Sequence, residues 1–295
     1  MAQPIDSSPI IEAVPNFSEG RDSSTIDALK QAVTSVPEVR LLHYTSDPDH
    51  NRTVLTFAGP PVPVAEAAFR AVAVAVERID LRKHIGVHPR IGAADVLPFV
   101  PIRGIDLPQC AQIAEAVGAR VWNELGLPVY LYEAAARDPG RKRLEQIRSR
   151  SFVGQPDIGS GRHPSAGALV TGARPFLIAW NVNLRSRDLT AAHTIARRIR
   201  ESSGGLPAVK ALGLELASRG QVQVSINLTD FETTPLHVVY ELVRHEAQTL
   251  GVEIEGVELI GLLPQRALEL SQGYDIPWEP GTEIATRTVE FCLAR

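Results

Sequence analysis

Strand-like and helix-like segments follow one another as βαββαβ in the first half of the chain and again in the second. That double order restricts the fold more than any compositional total. In the first half, Ile10 to Val14 is a short apolar strand. Ser24 to Val36 sets Ile26, Leu29, Val33 and Val36 at helical spacing; Ser24 can cap the start and Pro37 stops the end. Val39 to Tyr44 and Arg52 to Ala58 read as strands around a turn-rich Ser46 to Asn51. Pro63 opens a helix to Ile79, Asp95 to Ile102 is a strand, Pro108 to Leu125 is a helix closed by Gly126, and Val129 to Tyr132 is a further strand.

The second half repeats the order without obvious identity. Phe176 to Leu184 is a strand and Asp188 to Glu201 a helix. Val209 to Leu216 and Gln221 to Leu228 are strands, and Thr234 and Pro235 start a helix to Leu250. Val252 to Leu263 is a strand, Pro264 opens a short helix, and Thr286 to Leu293 reads as a last strand. The expected architecture is α/β (α+β): two βαββαβ-type subdomains, residues 1–174 and 175–295, with mixed sheets and a cleft between them. Clefts at such boundaries are common ligand sites.

A length of 295 residues, 44% hydrophobic and 22% charged, suits two globular units. A net charge of -4 gives no electrostatic ground for nucleic acid or an anionic membrane as partner. No apolar run approaches the ~20 residues of a bilayer span, and Met1 to Pro9 is polar, with no secretory signal. Cys110 and Cys292 stand in unrelated contexts and make no disulfide framework. A cytoplasmic protein is expected.

Four loops concentrate chemistry. His84 to Val96 cannot be ordinary helix, because Pro89 forbids an interior turn and Gly86 and Gly92 weaken one. It nonetheless carries two imidazoles, a guanidinium and a carboxylate, and such clusters tend to mark sites; a polar surface bend is the plain alternative. Val14 to Arg21 runs from strand to helix, where free N–H groups suit an anion or merely a cap. Asp47 to Thr53 offers a carboxylate, an imidazole and an arginine, and is also ordinary turn chemistry. Pro156 to Gly167 is glycine-rich, matches neither a P-loop nor a dinucleotide fingerprint, and could wrap a flat ligand or link two domains.

Other chemistries fit less well. Zinc at His84 and His88 would need a helix and further spaced ligands, so no metal is expected; a metal-dependent hydrolase using His84, His88 and Asp95 is the weakest option. No G-x-S-x-G elbow supports a serine nucleophile. Cys110 lies inside an amphipathic helix and reads as core. Arg137, Arg141, Lys142, Arg143, Arg148 and Arg150 make a basic stretch that reads as a solvated face.

Together the ordered motifs resemble a known family. Val14-Pro15-Asn16-Phe17-Ser18-Glu19-Gly20, Asn51-Arg52-Thr53-Val54, His88-Pro89-Arg90-Ile91-Gly92-Ala93 ahead of Asp95-Val96, Pro128-Val129-Tyr130-Leu131-Tyr132, Gly172-Ala173-Arg174, Asn181 with Asn183, and Gln223-Val224-Ser225 through Asp230-Phe231-Glu232 are similar to the glutamate formimidoyltransferases. These are the transferase half of formiminotransferase-cyclodeaminase, and the likeness covers nearly the whole chain. It implies two α/β subdomains, a homodimer, and transfer of a formimidoyl group between N-formimidoyl-L-glutamate and N5 of tetrahydrofolate, in histidine degradation and one-carbon metabolism. It implies tetrahydrofolate as co-substrate and a cyclodeaminase, if any, on a separate chain.

The resemblance makes His88 the catalytic residue, shuttling protons. It places folate on Gly159, Ser160, Gly161, Arg162, His163, Pro164, Ser165, Ala166 and Gly167. Asn16, Ser18, Asn51, Arg52, Arg90 and Asp95 become substrate-binding candidates, with Arg52 and Arg90 as carboxylate clamps; the basic stretch could meet a polyglutamyl folate tail. Two positions depart from the pattern: Thr45 stands where an Asp is usual, and Ala166 where a Trp often sits. They motivate the alternative, a non-catalytic folate- or anion-binding relative that kept the scaffold.

Overall fold

The computed structural model describes residues 8–149 and 154–295. Arg150 of the basic stretch and residues 1–7 lie outside the described residues. The chain divides into two compact units, Met1–Pro175 and Phe176–Arg295.

The first unit runs β1 (Ile10–Ala13), β2 (Asn16–Phe17), α1 (Ser23–Thr34), β3 (Arg40–Asp47), β4 (Arg52–Gly59), α2 (Pro61–Arg78), β5 (Ala94–Arg103), α3 (Leu107–Leu125), β6 (Val129–Glu133), α4 (Leu144–Ile147) and β7 (Leu169–Ala173). β1 and β2 are two pieces of one line of chain, and each pairs with β4 on one side and β5 on the other. Pro15 interrupts them because it has no N–H to give the ladder. β5, β7 and β6 then continue in parallel. Helices α1, α2 and α3 pack against the sheet, and Phe17, Leu29, Phe57, Val72, Leu97, Phe99 and Val121 share its core.

The second unit runs β8 (Ile178–Leu184), α5 (Leu189–Ile199), β9 (Val209–Leu216), β10 (Gln221–Leu228), α6 (Leu236–Thr249), β11 (Ile254–Ile260), α7 (Gln265–Leu270) and α8 (Val289–Ala294). Its sheet order is β11-β8-β10-β9, antiparallel throughout. A mixed sheet is therefore found only in the first unit. In the second, each helical crossover skips a strand position, so strands running the same way never become neighbours. Trp180, Ile195, Val224 and Val243 lie in its core.

Local differences from the sequence reading have identifiable causes. The cap of α1 is Asp22, whose carboxylate accepts from Ser24 N at 3.0 Å and Thr25 Oγ1 at 2.6 Å; Ser24 is inside the helix. Thr286 to Leu293 is not a strand. Thr288 Oγ1 accepts from Phe291 N at 3.2 Å and so caps α8, overriding the β-branched and aromatic character of the segment. β7 was hidden in a glycine-rich context, and as an interior parallel strand it shows no alternation. Among the described residues no helix is long and apolar enough to cross a membrane. Cys110 is buried in α3, Cys292 is half-buried, and both are free thiols.

Candidate active site

The bend between α2 and β5 is held from three directions. Asn51, in the left-handed region at φ 46°, is the hub. Its Oδ1 accepts from Gly20 N at 2.8 Å, its Nδ2 donates to Ile85 O at 3.0 Å, and its own carbonyl accepts from His84 Nε2 at 3.0 Å. With the proton on Nε2, His84 presents the lone pair of Nδ1, and Arg90 Nη1 donates to it. Arg90 Nη2 donates to the carbonyls of Gly86 and His88, both at 2.7 Å. The approach is close enough to require glycine: a Cβ on Gly86 would lie 2.5 Å from His50 O, and one on Gly92 would lie 2.0 Å from Ala168 O.

This frame presents His88. Its Nδ1–H donates to Pro89 O at 2.8 Å, which leaves the Nε2 lone pair available. The ring is partly exposed and tilted 32° to that of His50, with centroids 5.8 Å apart. Burial among protein atoms pushes the His88 imidazole well below its ordinary range. The positive fields of Arg52 and Arg148 push the same way, and they outweigh Asp95 and the Pro89 carbonyl. His88 is thus neutral near neutral pH, with the Nε2 lone pair free to take a proton.

Beneath it lies Asp95, fully buried at the start of β5. Oδ1 accepts from Ile91 N at 2.7 Å, and Oδ2 accepts from Arg52 Nη1 at 2.8 Å and from Arg148 Nη2. Burial alone would raise this carboxyl; Arg148 and Arg52 reverse that and hold it well below the usual carboxylate range. Arg52 is itself buried, and its Nε donates to Asn16 Oδ1 at 3.0 Å. Burial brings its guanidinium down to about 10 against the pull of Asp95. Ser18 Oγ is also buried and donates to Gly92 O at 2.8 Å.

Residues 10–174 match the formiminotransferase domain, N-terminal subdomain, and residues 179–285 match the formiminotransferase domain. The chain belongs to the formiminotransferase family. Glutamate formimidoyltransferase of Streptococcus pyogenes serotype M1 is 44% identical over 270 residues, which cover 88% of this chain and 90% of that one. The Thermoplasma acidophilum protein of the same name is 43% identical over 271 residues, covering 88% and 89%. Formimidoyltransferase-cyclodeaminase of Rattus norvegicus is 45% identical over 278 residues, covering 88% of this chain and 51% of that longer protein. The resemblance drawn from the motifs is borne out.

The segment Gly159 to Gly167 is joined to the His88 bend by backbone. His163 and Gly167 exchange hydrogen bonds at 2.9 and 3.1 Å, and His163 Nδ1 accepts from Ala166 N at 3.0 Å. Leu81 N donates to Ser165 O at 2.8 Å, Ala93 N to Ala166 O at 2.9 Å, and Ala168 N to Ile91 O at 3.1 Å. Gly159, Ser160, Gly161, Arg162 and Pro164 are exposed, while the Ala166 methyl is fully buried in the core of the first unit. Thr45 lies on β3 opposite Val54.

The structure thus joins Asn16, Arg52 and Asp95 in one hydrogen-bonded cluster, to which it adds Arg148, and joins Asn51, Arg90 and His88 in the bend through His84, with Ser18 holding the bend at Gly92. In the sequence Arg148 was one basic residue among several and carried no signal of its own. A metal would find His84 occupied at both ring nitrogens and Asp95 at both oxygens. Among the described residues no group of three or more His, Cys, Asp or Glu could hold one. A hollow of about 360 Å³ in the second unit, lined by Leu236, Tyr274, Ile276 and Trp278 among others, contains none of the expected site residues.

Proposed function

We propose that the protein transfers the formimidoyl group between N-formimidoyl-L-glutamate and N5 of tetrahydrofolate, a one-carbon step of histidine degradation. The observation that carries this is 44% identity to a glutamate formimidoyltransferase, of which the chain covers 90%. N5 attacks the amidine carbon and forms a C–N bond. Its proton passes to His88 Nε2, giving a tetrahedral intermediate. The imidazolium then returns a proton to the glutamate nitrogen, the second C–N bond breaks, and glutamate leaves as the free amine. A depressed imidazole suits this return step, because its protonated form is a strong proton donor. Positioned acid–base catalysis of this kind supplies about 10²–10⁴-fold, and alignment of two bound substrates supplies more.

Tetrahydrofolate is the co-substrate, taken along Gly159 to Gly167; the exposed backbone of Gly159 to Arg162 and the hydrogen bonds joining that segment to the bend support this. Asn16, Ser18, Asn51, Arg52, Arg90 and Asp95 form the substrate frame. The assembly is a cytoplasmic homodimer, and a cyclodeaminase takes the product; the two free thiols fit that compartment and the joint name of the rat relative fits that partner. The test is to mix the purified protein with tetrahydrofolate and N-formimidoyl-glutamate and to follow glutamate release and product mass. Formimidoyl-tetrahydrofolate is expected. Folate binding with no product would leave the non-catalytic reading instead.

A further inference from the structure

Three arginines surround Asp95 and His88, and their hydrogen bonds are unequally distributed. Arg52 gives Nε to Asn16 and Nη1 to Asp95. Arg90 uses both Nη nitrogens within the bend, on His84, Gly86 and His88. Arg148 donates Nη2 to Asp95, while its Nε is a buried nitrogen with no hydrogen-bond partner among the described residues. A buried N–H left without an acceptor is unfavourable.

The charges point the same way. Asp95 carries one negative charge and faces two guanidiniums, whose side chains are only 13% (Arg148) and 8% (Arg52) exposed. Arg52 alone neutralises Asp95, so Arg148 brings an excess positive charge into a largely enclosed place. Such a charge calls for an anion, and the guanidinium fork matches a carboxylate with two parallel N–H groups. The field of Arg148 reaches the His88 ring, so an anion held there lies beside the proton shuttle.

We propose that Arg148 receives a carboxylate of the one-carbon donor, and that Arg148, rather than Arg52 or Arg90, sets the preference for an acidic donor. The assignment rests on formimidoyl transfer from a glutamate derivative. The experiment compares two donors at saturating tetrahydrofolate: N-formimidoyl-glutamate and its diamide, in which both carboxylates are neutral amides. For Arg148→Gln, kcat/KM for the acid falls roughly 10–100-fold, mainly through KM, as expected for loss of a charge-assisted hydrogen bond. For the diamide, which makes no such bond, the loss is at least about tenfold smaller; an effect through His88, whose ring feels the Arg148 charge, falls on both donors alike and cancels in the ratio. Arg148→Lys keeps the charge beside Asp95 if Gln unsettles the cluster, and shows a smaller loss confined to the acid. An equal loss on both donors, or no loss on the acid, overturns the assignment while transfer by the unmodified protein stands. No turnover of either donor by the unmodified protein overturns the transfer reading, and the assignment with it.

Discussion

Arg90 and His84 hold one another across the bend that carries His88: Arg90 Nη1 donates to His84 Nδ1, and His84 Nε2 donates to Asn51 O at 3.0 Å. The pair works only with a neutral imidazole. Protonation would fill Nδ1, remove the acceptor and set a cation against Arg90. Burial, then Arg90, pushes the His84 imidazole below its ordinary value; Glu19 pulls it up and Arg21 pushes it down. Because the folded group takes up its proton less readily than the unfolded one, its contribution to stability is complete above about 6.5 and is lost as pH falls from there toward the folded value. The protection of amides in residues 84–92, measured as exchange relative to the intrinsic rate at each pH, is therefore expected to fall between pH 7 and 5. In His84→Asn, whose side-chain oxygen stays an acceptor at every pH, the change should be smaller. Equal acid sensitivity in both proteins would remove His84 as the cause.

His88 should titrate below His84's ordinary range as well, because burial and the two arginines oppose its charge. Turnover is then expected to show no His88-dependent loss between about pH 6.5 and 8. His88→Ala should keep the fold and lower turnover by about 10²–10⁴-fold, measured by product formation with both substrates saturating. Near-normal turnover would take His88 out of the mechanism, and an imidazole resonance titrating at or above about 6.5 would mean that the charges of Arg52 and Arg148 do not act on the ring.

Asp95→Asn tests the charge centre. Asp95 is fully buried and is the shared partner of Arg52 and Arg148. Neutralising it leaves two guanidiniums facing one another with no counter-charge, and breaking a buried ion pair from one side costs about 3–5 kcal/mol. Denaturant unfolding is the measurement, and a loss under about 1 kcal/mol, the range of an exposed ion pair, would mean that water screens the cluster.

These groups differ in how far a sequence can announce them. Val209–Leu216 and Gln221–Leu228 coincide with the strands expected from the sequence; in the second, Val222, Val224, Ile226 and Leu228 alternate into the core. His88, Arg90 and Asp95 stand close together in a loop that proline and glycine mark as non-helical, so their chemistry was legible as a cluster. Arg148 was not: it is 53 positions from Asp95 and meets it only because the excursion after β6 folds back over the sheet. Ser24 and Asp22 are both good caps in isolation, and only the observed backbone decides between them. The strand read at Thr286 to Leu293 failed because a single hydroxyl, on Thr288, turned the chain into a helix.

The departure at Ala166 can be tested directly. In the family pattern this position often carries Trp, which suggests that adding the ring would strengthen pterin stacking. Here the Ala166 side chain is fully enclosed by the core of the first unit, and its backbone oxygen accepts from Ala93 N at 2.9 Å. A Trp would need room that close packing does not leave, and overpacking costs about 1–3 kcal/mol. It would also push on the hydrogen bonds that tie Ala166 and Ala168 to the bend holding His88. Ala166→Trp is therefore expected to lower the unfolding midpoint and to weaken tetrahydrofolate binding. Calorimetric titration alongside thermal unfolding reads both quantities. Tighter folate binding at unchanged stability would mean that the segment swings outward to present position 166 to the ligand, and that the enclosure of Ala166 is not the state that binds.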